Sequence, residues 1–161
     1  MNGKINQALN TQIHMELESS YLYLALSAYY DSKDLPGFAH WMREQSREEY
    51  GHAMRLFDYL LTRGAKVDLD TLGKPADGFT SPVSAFNRVV DHEKRVTNAI
   101  HKLYLLALEE GDLATGVELQ WFIQEQVEEE KSVSEVAAQL RWGNGEPMGL
   151  LMVDRDLAKR E

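Results

Sequence analysis

The chain of 161 residues contains no cysteine. That excludes a disulfide framework and every thiolate metal site, and it suits a reducing compartment. Proline is scarce, at four, so long helices can run without interruption. The longest apolar run, YLYLALSAYY at 21–30, has about half the length that a membrane-spanning helix needs. The opening residues, MNGKINQALN, lack the basic-then-apolar layout of a signal peptide. A cytoplasmic protein without a membrane partner is therefore expected. Positive charge is also short: 17 Lys and Arg face 26 Asp and Glu, for a net charge of −9. No basic stripe is offered to a phosphate backbone, so nucleic acid is not an expected partner. An acidic chain attracts cations instead.

What is there is 43% apolar and 27% charged, the balance of one globular domain over residues 1–161. Turn formers divide it into helices at about 6–30, 35–63, 82–110 and 112–142, with a tail helix at about 148–159. Asp34 is expected to cap the second helix, with Pro36 in its first turn. Ser81 caps the third, with Pro82 at the first helical position, and Asp112 caps the fourth. Gly64 and Gly111 are natural helix stops. The stretch from Gly64 to Ser81 has no helical period. Fully extended it could reach about 60 Å, against about 40 Å for the long helices. It can cross the length of a bundle. The expected fold is all-α, a four-helix bundle with a long crossover between helices two and three and a short fifth helix.

Each long helix carries an apolar stripe broken near its middle by a carboxylate. The second reads Phe38, Trp41, Met42, Gln45, Glu49, His52, Leu56, Tyr59, Leu60. Glu49 and His52 lie three apart, on one helix face, inside that stripe. Glu16 interrupts the first stripe, Glu93 the third and Glu129 the fourth. Glu16 and Glu49 flank the turn near residue 33 at almost equal distances, and Glu93 and Glu129 do the same around Gly111. Two antiparallel hairpins would therefore raise all four carboxylates to one level. Four buried acids repel and take up protons unless cations offset them. Oxygen donors with one imidazole suit iron or manganese, and an adjoining amide and phenol, Gln126 and Tyr23, could complete the shell. His14, His40, His92 and His101 do not recur at that level. Trp41, Trp121 and Trp142 read as packing residues.

The stretches QIHMELESSYLYLALSAYY, REEYGHAMRLFDYL, DHEKRVTNAI and LQWFIQEQVEEEK together resemble the non-haem ferritins of bacteria and archaea along nearly the whole chain. The resemblance implies a ferroxidase centre. Glu16, Glu49 and His52 would hold one iron, and Glu49 would bridge to a second held by Glu93, with Gln126 and Glu129 close by. Tyr23 and Trp121 match residues beside that centre, and a third iron would map onto Glu48, Glu125, Glu128 and Glu129. Bacterioferritins repeat E-x-x-H in the second hairpin and carry a haem-ligating Met after the helix-two glutamate. This chain has Gln126-x-x-Glu129 and Tyr50 there, so haem is not implied. The implied function is iron storage: Fe(II) oxidised by O2 or H2O2, and ferric mineral deposited inside a hollow homo-oligomer of 24 subunits. The alternatives are a di-iron oxidase or peroxidase that stores nothing, and a non-catalytic helical interaction protein.

Overall fold

Asn2 accepts a hydrogen bond from the Ile5 amide through its side chain (2.9 Å), and this cap starts the first helix earlier than the apolar period alone suggests. In a computed structural model that describes residues 1–160, the helices are α1 (Gly3–Asp31), α2 (Pro36–Thr62), α3 (Pro82–Glu109), α4 (Leu113–Trp142) and α5 (Pro147–Leu157). Ser81 and Ser84 form a reciprocal capping box on α3, and Asp112 caps α4 through the Thr115 amide. Gly64 and Gly111 adopt φ of 63° and 67°, the left-handed geometry that ends α2 and α3.

Asp34 does not cap α2. It sits at φ 58°, inside the turn, and the N-cap is Leu35, which has no side chain able to accept. A residue in the left-handed region cannot also hold the extended geometry of a cap. The orphan amide of Phe38 is taken instead by Asp154 of α5, at 3.0 Å.

α1 pairs with α2 and α3 with α4. The α1–α3 seam joins the two hairpins, while among the described residues α2 and α4 nowhere come within 8 Å between Cα atoms. The apolar core is split. One cluster, including Tyr30, Phe38, Trp41, Phe86 and Leu140, fills the end near α5. The other, including Ile5, Leu9, Leu56, Ile100 and Leu119, fills the far end. Between them lies a polar layer of Glu16, Gln45, Glu49, Glu93, Gln126 and Glu129, all buried.

The crossover carries no regular structure from residue 65 to 80. The side-chain amides of Asn6 and Asn10 hold the Lys66 carbonyl at 2.9 and 3.0 Å, and Asn10 accepts from the Asp68 amide at 2.7 Å. Phe79 packs on Tyr29 at its other end. Among the described residues, no helix is long and apolar enough to cross a membrane.

The tail buries one face on its own subunit, through Val153, Asp154 and Leu157. A Cβ on Gly37 would stand 1.7 Å from the Asp154 carbonyl oxygen, and one on Gly149 would stand 2.7 Å from Gly143 Cα. Only glycine permits these approaches. Met148, Leu151 and Met152 face outward, and Trp142 is 91% exposed, so it is not a packing residue within this chain.

Candidate metal centre

Helical spacing puts Glu49 and His52 one turn apart, and their nearest atoms, Oε2 and Nδ1, are 3.4 Å apart. α1 brings Glu16 against them, so that one ligand atom from each of Glu16, Glu49 and His52 lies within 4.8 Å of the others. His52 belongs equally to a second set, with Glu125 and Glu129, at the same closeness. Its Nε2 faces Glu125 Oε1 at 4.0 Å. Glu93 enters neither set. Tyr23 donates its hydroxyl to Glu93 Oε1, and the Gln126 amide donates to Oε2 at 3.2 Å and to Thr97 Oγ1 at 3.2 Å. Gln126 and Tyr23 therefore fix Glu93.

Two further amides belong to the layer. Gln12 donates to Glu16 Oε1 at 2.7 Å, and Gln45 donates to Glu129 Oε2 at 2.9 Å. Other oxygens of the layer are orphans: Glu16 Oε2, both oxygens of Glu49 and Gln45 Oε1 are buried without a hydrogen-bond partner. Buried acceptors without donors are expensive, and a cation is what such a donor set fits.

Electrostatics agree. Burial pushes the Glu16 carboxyl well above its ordinary value, and the neighbouring Glu49 adds to the rise. Glu49 is pushed up by burial and then by Glu93, and Glu93 is raised by burial despite the bonds from Tyr23 and Gln126. Glu129 is raised to about 7, by burial first and Glu93 second. Acids held this way keep their protons to higher pH than free carboxyls, and arriving positive charge favours their ionised form.

The sequence pattern of the Ferritin family, described as a ferritin-like domain, matches residues 6–142. The chain belongs to the ferritin family. It is 36% identical to a bacterial non-heme ferritin of Bacteroides fragilis over 98% of both chains. A probable bacterial non-heme ferritin-like protein of Haemophilus influenzae is 32% identical, over 98% of this chain and 95% of the other. Among solved structures, an open-pore ferritin of the archaeon Archaeoglobus fulgidus superposes with a TM-score of 0.98 at 42% identity, covering 100% of this chain and 98% of that one. Family membership places the chain among iron-storage proteins.

Around the buried layer, this ferritin arranges two partly exposed features. Trp121 meets the His52 ring edge-on at 5.4 Å, and Arg55 lies over the Trp121 face at 4.0 Å while donating to Glu118 at 2.6 Å. Beside Glu129 opens an acidic cavity of about 460 Å³, lined by Glu48, Glu125, Glu128 and Glu129 together with Lys131 and Arg160. The four glutamates assigned by resemblance to a third iron thus share one wall.

Gln12, Gln45 and Thr97 were not legible as site residues from spacing alone. A signal existed: QIHME and QSREE each place Gln four residues before the layer's glutamate, on the same helix face.

Proposed function

We propose that this chain is a ferroxidase that stores the iron it oxidises. The observation that carries the reading is the buried layer of four carboxylates in which Glu16 Oε2 and both oxygens of Glu49 have no hydrogen-bond partner. Glu16, Glu49 and His52 bind one Fe(II). Glu49, which has two free oxygens, is shared with a second Fe(II) held by Glu93, with Glu129 and Gln126 close by. Two divalent ions offset four carboxylates, so the acids can ionise together.

Each Fe(II) gives up one electron. With two protons, the pair reduces O2 to H2O2, or H2O2 to two waters. The buried layer keeps the two ions adjacent, so both electrons leave in one encounter. Tyr23 holds Glu93 through its hydroxyl and keeps that carboxylate aimed inward. The ferric product leaves past Glu129 into the cavity of Glu48, Glu125 and Glu128, and from there to the mineral. No haem is expected, since Tyr50 stands at the related Met position. The outward-facing Leu113, Val117, Trp142, Met148 and Met152 supply apolar surface for neighbouring copies, in keeping with a closed shell of 24 subunits.

Aerobic addition of many Fe(II) ions per chain tests storage: soluble, mineral-filled particles are expected. Turnover without mineral would point to an oxidase or peroxidase, and neither would point to a plain helical binding protein. Stopped-flow oxidation at two Fe(II) per chain tests the centre. Glu49→Gln is expected to remove the fast paired phase. His52→Ala should slow it by at least about 100-fold, the upper end of what losing a supporting residue costs. Wild-type kinetics in Glu49→Gln would rule the centre out.

A further inference from the structure

Arg160 lies beyond the last turn of α5, yet three contacts hold it to α2. Its carbonyl pairs with His40 Nε2 at 2.7 Å. Its guanidinium lies over the Trp41 ring at 4.8 Å and donates through Nη2 to Glu48 Oε2 at 2.6 Å. Trp41 and Glu48 are seven residues apart on α2, two turns along one face, so the extended side chain lies lengthwise on the helix. Its side chain is 20% exposed, and Nη1 is buried with no partner. Lys131 also lines the cavity, but its side chain is 75% exposed and its contact with Glu135 is long, at 3.8 Å. One cation is seated at this cavity and one is loose.

Glu48 and Glu129 face the same acidic space, and Glu129 also belongs to the buried layer. A cation that takes Glu48 Oε2 must compete with the guanidinium. A guanidinium stacked on an aromatic ring is already placed against the carboxylate, so its bond to Oε2 is lost at a larger penalty than a free lysine's would be.

We propose that Arg160 is a tethered counter-ion that occupies Glu48 until a multivalent cation displaces it, and so sets the affinity and charge selectivity of the acidic cavity. The direction of traffic, from buried layer to cavity, rests on the ferroxidase reading above. The competition itself does not. A monovalent ion gains too little from the remaining carboxylates to release the guanidinium, whereas a divalent or trivalent ion gains more with each carboxylate it recruits. If the latch is closed about nine-tenths of the time, the cavity's affinity is lowered about tenfold. Arg160 acts here as a positioning residue: it touches Glu48, not the reacting ions.

The test is calorimetric titration of the assembled, metal-free protein with Zn(II), which has no redox chemistry, supported by Tb(III) luminescence. Wild type should bind two ions per chain tightly in the buried layer and one more weakly in the cavity. Arg160→Met keeps an apolar stem over Trp41 and should strengthen only the weak phase, by about tenfold. Arg160→Lys keeps the charge without the fork or the stacking and should strengthen it by less, which gives a second reading if the Met variant fails to assemble. In a Glu48→Gln background, Arg160→Met should change nothing, because the shared carboxylate is gone. An unchanged or weakened cavity phase in both Arg160 variants overturns the latch, as does a full effect in the Glu48→Gln background. A missing tight phase in wild type overturns the ferroxidase centre instead, so the two readings fail separately.

Discussion

Carboxyl groups of Glu16, Glu49, Glu93 and Glu129 are all raised by burial, and Glu129 reaches about 7. An acid whose folded value exceeds its unfolded one binds more protons in the folded state. Its stabilising share is complete below the unfolded value, 4.5 for Glu129, and is lost as pH climbs towards about 7. For Glu129 alone that loss is roughly 3 kcal/mol. Metal-free protein should therefore have a higher thermal midpoint near pH 5 than near pH 8, and Glu129→Gln should reduce the difference. Adding Zn(II) at the higher pH should restore the midpoint by occupying the layer. A midpoint that rises with pH in chelator would contradict the description of the layer. At this scale the sequence shows Glu16, Glu49 and His52 plainly, because each breaks an apolar stripe. It does not show Gln12, Gln45 or Arg160: an amide or guanidinium on a helix or tail is usually solvated, and its partner here comes from another element.

Between elements, the dependence of α2 on α5 is the least expected feature. α2 begins without a capping side chain of its own and borrows Asp154. Gly37 makes the loan geometrically feasible, because a side chain there would run into the Asp154 backbone. Gly37→Ala should displace α5, break the Phe38–Asp154 bond and lower stability by about 1–3 kcal/mol. The measurement is the thermal midpoint together with the rate of proteolysis within the tail. Wild-type values for both would show that the close approach carries no energy. Helix number, the Ser81 and Asp112 caps and the Gly64 and Gly111 stops are all legible from local chemistry. The Asp34 cap is misleading because Asp serves turns and caps equally, and only the backbone conformation separates them. The tail's docking is invisible in the sequence, since two glycines and one aspartate distant along the chain have no period to betray them.

At the scale of the whole molecule, the core is two apolar ends around an acidic middle, so the bundle gives up continuous packing to keep its layer. The crossover is the one covalent link between the halves, and it rests on the surface through a few bonds to α1. Its middle, around residues 70–78, is largely exposed, which makes it a natural place for cleavage. A single cut there should leave fragments that stay associated and run as one species on a native column, because α5 of the second half also grips α2 of the first. Separation of the fragments under native conditions would refute this. The same connection sets an order of events in time. Each hairpin closes through a short turn and gathers neighbours close in sequence, so both can form early. Their meeting must wait for the crossover to bring distant segments together, and that last encounter is also the one that strips water from the acids.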